Sequence, residues 1–287
     1  MATNGKARIA QTAALRLATC LLVTAVGVCQ GQELSCYQPL GVAPPPPKTL
    51  TVLMLDTTTP RDATAADSLS QLLQRILRKP GEQLVVVTFA GLAPGEFPRV
   101  VARAYQEPPA DEGFRTDRVI SEVEALDECL PKLWRRQLAA LPKLVQQKIG
   151  SNSSGEFSEL AYAMQWLSSR YLPFLPGTPL TRVLVYSDGL LHSRSGQSFY
   201  QRKAPRLIDA EQELARAQKD GLPMHPAPGS RSFDLYWLGL GAQLPEGRKY
   251  LAPRDVDALR QFWQRATTAL GARSVHIDLA IPVEALR

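Results

Sequence analysis

Four nearly uninterrupted apolar segments, separated by segments with helical spacing, limit the folds open to this chain more than any other feature. The four are residues 50–55, 84–89, 182–187 and 233–241. Apolar runs of this length without alternation are typical of strands that are buried on both faces of a parallel sheet. Residues 99–105 and 274–279 predict two further strands, and the weaker alternation of the first favours an edge position.

Between these strands, apolar residues recur at helical spacing. This predicts helices around residues 69–77, 160–167, 206–220 and 256–270, and a long helical stretch from about 119 to 141. Pro131 and Pro142 are expected to divide that stretch into two or three helices, because an internal proline removes a backbone hydrogen bond. Strands that alternate with helices predict an α/β fold: a doubly wound, mostly parallel sheet with helices on both faces.

The N-terminus predicts export. Lys6, Arg8 and Arg16 precede an apolar run, residues 17–28, that is too short to span a bilayer. A basic flank, a short apolar core and small residues beyond it are typical of a secretory signal, here residues 1–31 with cleavage near Gly31. An uncleaved anchor and a lipid-modified Cys29 are the alternatives. The protein is expected in the periplasm or outside the cell, with membrane contact only through this segment if it is retained.

The predicted mature chain has a Pro-rich tail, residues 32–48, and an α/β domain, residues 49–287. Four consecutive prolines, 44–47, favour an extended polyproline spacer. The mature chain keeps two cysteines, Cys36 and Cys129, and in an exported chain these predict a disulfide between tail and domain. Two unrelated thiols are the alternative.

Composition argues for a packed domain and against nucleic-acid binding. Hydrophobic residues make up 45% of the 287 residues, enough for a sizeable core. The net charge of +6 is scattered along the chain. Its densest pairs, residues 135–136 and 202–203, have no aromatic neighbours of the kind that single-strand binders use. No nucleic-acid partner is therefore expected.

Two aspartates follow predicted buried strands: Asp56 after the first and Asp188 after the third. In open α/β sheets, ligands bind at the carboxyl ends of the strands, near the point where the strand order reverses. Because both aspartates follow the carboxyl ends of buried strands, they are the strongest candidates in the chain for a functional site.

Three segments, in this order, resemble the von Willebrand factor A family. Residues 55–59 (LDTTT) match the start of its D-x-[ST]-x-S motif, 86–90 (VVTFA) resemble its second strand, and 185–189 (VYSDG) resemble its strand ending in Ser-Asp-Gly. The resemblance implies the family's fold from about residue 50 to 281. It also implies an Mg²⁺ site at the sheet edge, where a partner protein's carboxylate completes the coordination.

Carried over by position, the resemblance assigns the metal-binding roles to Asp56, Thr58, Ser158 and Asp188, with Ser154 as the alternative to Ser158. Hard oxygen donors of this kind suit Mg²⁺, which retains several waters. No other cofactor is expected.

The chain departs from the family where the third motif position, a serine, is Pro60. Proline offers no hydroxyl, so the site is expected to bind metal weakly or not at all unless Thr59 or Asp62 compensates.

No residue pattern argues for catalysis. The histidines, His192, His225 and His276, lack metal-site spacing, although His192 lies four residues after Asp188 and could border the same edge. A haloacid-dehalogenase-type phosphatase, with Asp56 as nucleophile, is the enzymatic alternative, but Thr58 stands where many such enzymes carry a second aspartate. The sequence favours a non-enzymatic domain that binds a partner protein, and the expected setting is a cell-envelope or secretion assembly. A metal-independent structural subunit is the other alternative.

Overall fold

The computed structural model describes residues 35–59, 63–91, 97–149, 151, 157–177, 179–194, 196–201, 204–205, 208–223, 225–241 and 251–277. The predicted signal segment, together with Pro60, Asp62 and Ser154, lies outside these ranges. No helix in the described part of the chain is both long enough and apolar enough to cross a membrane.

Six strands form the central sheet and confirm the predicted fold class. They are β1 (Thr49–Asp56), β2 (Glu82–Phe89), β3 (Arg99–Tyr105), β4 (Leu180–Tyr186), β7 (Phe233–Leu238) and β8 (Ala272–Ile277). Their order is β3-β2-β1-β4-β7-β8, and every neighbouring pair is parallel except β2 and β3. A separate two-stranded hairpin consists of β5 (Tyr200–Gln201) and β6 (Ala204–Pro205).

Six α-helices accompany the strands in the described residues: α1 (Ala63–Ile76), α2 (Glu112–Thr116), α3 (Ile120–Lys148), α4 (Leu160–Trp166), α5 (Ala210–Lys219) and α6 (Pro253–Ala269). Helix α4 continues as a π-helical turn, Leu167–Tyr171, and a 3₁₀ turn, Leu172–Phe174. Helix α5 begins later than its sequence pattern predicts. Asp209 caps it by accepting a hydrogen bond from the backbone N–H of Gln212, so the helix starts at Ala210.

Apolar side chains on both faces of the sheet explain why its strands carry continuous apolar runs. Along β1, Val52 and Met54 face the core shared with α4, α5 and α6. Leu53 and Leu55 face a second core shared with α1 and α3. Because successive strand residues point to opposite faces, a strand covered on both sides needs an apolar residue at nearly every position.

The prediction that prolines divide the long helix is wrong. Helix α3 runs without interruption from Ile120 to Lys148 with Pro131 and Pro142 inside it. Pro131 and Asp127, whose carbonyl loses its helical partner, are both exposed, so water can satisfy that carbonyl. Both parts of α3 are packed: Leu126 and Leu133 lie in a small apolar cluster with the tail, and Leu141 and Val145 lie in the core shared with α1.

The described part of the N-terminal tail is fastened to the domain. Cys36 and Cys129 form the predicted disulfide, which joins the tail to α3. Tyr37 donates a hydrogen bond from its hydroxyl to the carbonyl of Pro108, and Tyr105 donates one to the carbonyl of Pro45. From Ser35 onward the tail therefore packs against the α/β core instead of extending as a free spacer.

Removal of the disulfide should destabilise the domain. The bond closes a segment with a sequence separation of 93 residues. Replacing both cysteines by alanine should lower the free energy of unfolding by about 2–4 kcal/mol, because the unfolded chain regains the entropy of that open segment. Urea unfolding of wild type and variant measures the difference. Protein from an oxidising compartment with two free thiols by intact mass would contradict the bond.

Candidate functional site

The order of the strands places the candidate site. Strands β2 and β3 lie on one side of β1, and β4, the next strand of the sheet in sequence, lies on the other side of β1. The strand order therefore reverses between β1 and β4, and such a point opens a crevice at the carboxyl ends of the strands. Asp56 is the last residue of β1, and Asp188 lies two residues after the end of β4. Both aspartates thus stand at the crevice.

Asp56 is the centre of the site. Its side chain is fully buried, and its carboxylate accepts hydrogen bonds from three chain segments. Oδ1 accepts from the backbone N–H and the hydroxyl of Thr58, at 3.0 and 2.5 Å. Oδ2 accepts from the hydroxyls of Ser158 and Ser187, at 2.8 and 2.9 Å. The carboxylate therefore ties the loop after β1, the segment before α4 and the end of β4 to one point.

Burial and hydrogen bonding act in opposite directions on the pKa of Asp56. Loss of hydration raises its pKa, and the hydrogen bonds from Thr58, Ser158 and Ser187 lower it, with a net increase. The donors thus compensate for only part of what burial costs the charged carboxylate.

Asp188 is partly exposed and accepts a hydrogen bond from the backbone N–H of Leu190 at 2.9 Å. Loss of hydration and the nearby Asp56 carboxylate raise its pKa to about 8. Its backbone N–H donates to the hydroxyl of Thr59 at 3.3 Å, which joins the turn after β4 to the loop after β1. Two neighbouring carboxylates, each with a raised pKa, favour either a bound proton or a bound cation at this edge.

Two tryptophans and a glycine fix the turn that carries Asp188. The indole N–H of Trp237 donates to the carbonyl of Ser187, and that of Trp263 donates to the carbonyl of Gly189, both at 2.9 Å. Gly189 has a φ of +77°, and a Cβ there would lie 2.4 Å from Cδ1 of Leu240. A residue with a side chain would therefore be strained and would displace its neighbours.

The structure brings the four predicted site residues to one edge, adds Ser187, and places Thr59, named from the sequence as a possible replacement for the missing serine, beside Asp188. Ser187 donates to Asp56 and accepts from the backbone N–H of Gly189 at 3.1 Å. Thr59 anchors the turn of Asp188 through its hydroxyl. Ser187 belongs to the Ser-Asp-Gly segment and Thr59 to the run of three threonines. Both residues therefore lie inside the segments that resemble the family motifs.

His192 borders the site, as its position after Asp188 suggested. It exchanges backbone hydrogen bonds with Ser158, at 3.0 and 3.3 Å, and its ring stacks on Phe157 with centroids 4.9 Å apart. His276 instead stacks on Tyr236 within the sheet. His192 therefore positions Ser158 through its backbone, and His276 belongs to strand packing.

The donor set fits Mg²⁺ better than a metal that prefers nitrogen or sulfur. The described residues contain no group of three or more His, Cys, Asp or Glu side chains that could hold an ion. The edge instead offers hydroxyl oxygens and two carboxylates, the hard donors that Mg²⁺ takes together with water. Because Thr58 and Ser158 use their hydroxyl protons on Asp56, their oxygen lone pairs remain free for a cation.

No protein-family profile and no curated protein sequence matches the chain. Similar solved structures include the pilus adhesin SpaC from Lactobacillus rhamnosus GG, in an open conformation, with 11% identity and a TM-score of 0.37. That similarity covers 84% of this chain but only 28% of the adhesin. Another is the N-terminal domain of TFIIH p34, with 10% identity, a TM-score of 0.30, and coverage of 84% of this chain and 95% of that domain. Similarities this low carry no argument about function.

Replacement of Ser187 by alanine should destabilise the domain, because it removes one donor from the buried Asp56 carboxylate. We expect the free energy of unfolding to fall by about 1–3 kcal/mol, the usual cost of leaving a buried polar group unsatisfied. Urea unfolding measures this. Ser169→Ala is the control, since its exposed hydroxyl bonds only to a backbone carbonyl in its own helical segment. Equal effects of the two variants would contradict the role given to Ser187.

Stability in EDTA should fall as pH rises from about 4 towards about 8. The pKa of Asp188 in the folded protein, about 8, lies above its ordinary 3.8, so the folded state holds a proton that the unfolded state has released. Asp188→Asn should flatten this decline. Urea unfolding at several pH values tests it.

Asp234→Asn is the control for that pH series. The Arg273 and Ser274 side chains lower the pKa of Asp234 despite its partial burial, so its contribution is lost only as pH falls into the acid range. Identical declines for wild type and Asp188→Asn as pH rises towards about 8 would contradict the assignment to Asp188.

Proposed function

We propose that this chain is an exported, non-enzymatic protein-binding domain of the von Willebrand factor A type. It binds its partner at the edge formed by Asp56, Thr58, Ser158 and Asp188. The observation that carries the proposal is the meeting of three chain segments on Asp56, where the strand order reverses. The sequence resemblance assigns the metal-binding roles to the same four residues.

In this proposal Thr58 and Ser158 hold Mg²⁺ through their hydroxyl oxygens, and Asp56 and Asp188 balance its charge. Asp56 orients both hydroxyls by accepting a hydrogen bond from each. A bound Mg²⁺ would supply a coordination position for a carboxylate of the partner protein. Its charge would also favour the ionised form of Asp188, whose pKa is raised without it.

The environment of Asp56 supports a binding role over phosphoryl transfer. A nucleophilic aspartate must reach the phosphorus atom with a free oxygen. Here the side chain is fully buried, and both carboxylate oxygens accept hydrogen bonds from hydroxyls. Such a carboxylate organises its neighbours and is poorly placed to attack a substrate.

Export is supported by the disulfide between Cys36 and Cys129 together with the N-terminal sequence. Disulfides persist in oxidising compartments and are rare in the cytosol. We propose the periplasm or the extracellular space as the location, and an assembly of the cell envelope or of a secretion system as the setting.

A metal-independent structural subunit is the second candidate. It is favoured by the fact that the Asp56 hydrogen bonds are complete without an ion. The two candidates share the fold and differ in whether metal binding stabilises it.

The choice between them can be made by thermal unfolding with EDTA and with increasing Mg²⁺. A ligand that binds only the folded state stabilises it by about 2.7 kcal/mol at one hundred times its dissociation constant. We expect the melting temperature of wild type to rise with Mg²⁺ and that of Ser158→Ala and Asp188→Asn to stay constant. Asp56→Ala is a poorer test, because it deprives three hydroxyls of their acceptor.

Ser168→Ala is the matched control for this titration. Ser168 is buried like Ser158, but its hydroxyl bonds to the backbone carbonyl of Gln165. Its response to Mg²⁺ should equal that of wild type. A wild-type melting temperature that does not change with Mg²⁺ would exclude the metal-dependent mechanism and leave the structural subunit.

A further inference from the structure

Six residues form a group beside the candidate site that the metal-binding roles do not use. We call it the arginine–aromatic rim: Phe97, Phe157, Tyr162, Arg170, His192 and Arg194. It consists of two sets, each with an aromatic ring, a second ring stacked on it, and a guanidinium group over it. In the first set, the guanidinium carbon of Arg194 lies 5.1 Å from the centre of Phe157, and the His192 ring stacks on Phe157. In the second, Arg170 lies 5.5 Å from the centre of Phe97, and Tyr162 stacks on Phe97.

The position of both sets in the fold places them towards the carboxyl edge of the sheet. Phe157 directly precedes Ser158, which bonds to Asp56. Phe97 lies two residues before β3, whose first residue pairs with Thr88 near the end of β2. Tyr162 is in the first turn of α4, which begins two residues after Ser158. The rim therefore flanks the crevice on the side of α4.

The loop that carries Arg194 is held in a fixed position. Glu159 accepts hydrogen bonds from the hydroxyl of Ser193 and from the backbone N–H of Arg194, both at 2.7 Å. On the other side, a Cβ added at Gly91 would lie only 2.6 Å from the Cβ of Phe157, so the chain at Gly91 closely supports that ring. The guanidinium group is thus presented from an ordered base, which lowers the entropy lost on binding.

Phe97 and Tyr162 are unusually exposed for large aromatic residues, at 42% and 36%. Arg170 and Arg194 are also exposed, and neither forms an ion pair with a carboxylate among the described residues. Glu96 and Glu156 precede Phe97 and Phe157 in sequence and lie outside the described residues. Exposed rings with cationic groups are the residue types enriched where proteins bind each other.

We propose that the arginine–aromatic rim is the specificity surface for the partner protein, and that it binds an acidic segment through Arg170 and Arg194. This rests on the proposed function, since it describes the partner of the same edge. A guanidinium that lies over a ring keeps its N–H groups directed sideways, where they can bind a carboxylate with two parallel hydrogen bonds.

An acidic protein segment fits this surface better than a nucleic acid. Nucleic acids without sequence preference bind by stacking bases on open aromatic faces. Here the rings of Phe97 and Phe157 are already covered by an arginine and a second ring each. The guanidinium N–H groups remain available to a ligand, apart from the Arg194 Nη2–H group that donates to the carbonyl of Gly91 at 3.5 Å.

The test uses fluorescein-labelled poly-L-glutamate as the probe and fluorescence anisotropy as the readout, at low salt and in EDTA. We expect wild type to bind, and Arg194→Ala and Arg170→Ala each to weaken binding about tenfold, which corresponds to 1.4 kcal/mol. Arg194→Lys should not restore binding, because an ammonium group lacks the planar fork. Because EDTA removes divalent cations, binding under these conditions separates this surface from the metal site.

Arg135→Ala is the matched control. It removes the same charge from an exposed position on α3, on the opposite face of the sheet. Equal weakening by Arg135→Ala and Arg194→Ala would overturn the proposal in favour of general charge attraction. Full binding of poly-L-glutamate by Arg194→Lys would also overturn the proposal. So would an oligothymidine that binds more tightly than poly-L-glutamate and is weakened by the same two arginine variants. Binding that needs Mg²⁺, is lost in Asp188→Asn and is unchanged by both arginine variants would overturn the rim while leaving the metal site in place.

Discussion

A single buried carboxylate, that of Asp56, organises the carboxyl edge of the sheet. Asp56 is the last residue of β1, and its side chain is fully buried. Its carboxylate accepts hydrogen bonds from the hydroxyls of Thr58, Ser158 and Ser187. A carboxylate in such a place is costly unless it is fully hydrogen-bonded, so the three segments that carry these hydroxyls must meet there for the domain to be stable. The same contacts leave hydroxyl oxygens facing one crevice. Stability and the proposed binding function therefore depend on one arrangement of side chains.

Contacts from the core and from the chain near His192 hold that arrangement in place. Trp237 and Trp263 hold the carbonyls on either side of Asp188 with their indole N–H groups, which connects the site to the core beneath α6. The backbone of His192 donates a hydrogen bond to the backbone of Ser158 and accepts one from it. The disulfide and the tail are attached elsewhere, on α3, where Cys36 and Cys129 join a small separate core. The tail can thus strengthen the domain without entering the crevice.

Most of the sheet was predictable from sequence because a strand buried on both faces needs an unbroken apolar run, and Leu53 and Met54 show the two faces side by side. Asp56 and Asp188 were predictable as neighbours because parallel strands end at the same edge.

The continuity of helix α3 was not predictable from sequence. Whether a proline breaks a helix depends on the packing around it and on the access of water to the carbonyl that loses its hydrogen bond. The arginine–aromatic rim was not predictable because its contacts join residues far apart in sequence, such as Phe157 and His192. Ser187 stands inside the Ser-Asp-Gly segment, but the motif did not indicate its hydrogen bond to Asp56. The von Willebrand factor A assignment and the metal site remain proposals that rest on the matching segments and on the oxygen donors.

We propose that the hydroxyls gathered by Asp56 form a cation site at the point where the strand order reverses. Its most direct test is a crystal structure of the protein soaked in Mn²⁺, which replaces Mg²⁺ at oxygen sites and gives an anomalous signal. We expect an anomalous peak within about 2.0–2.4 Å of the Thr58 and Ser158 hydroxyl oxygens, the range of metal–oxygen bonds. An ordered crevice with no peak, or an ion bound elsewhere while Asp56 keeps all its hydrogen bonds, would contradict a cation site here.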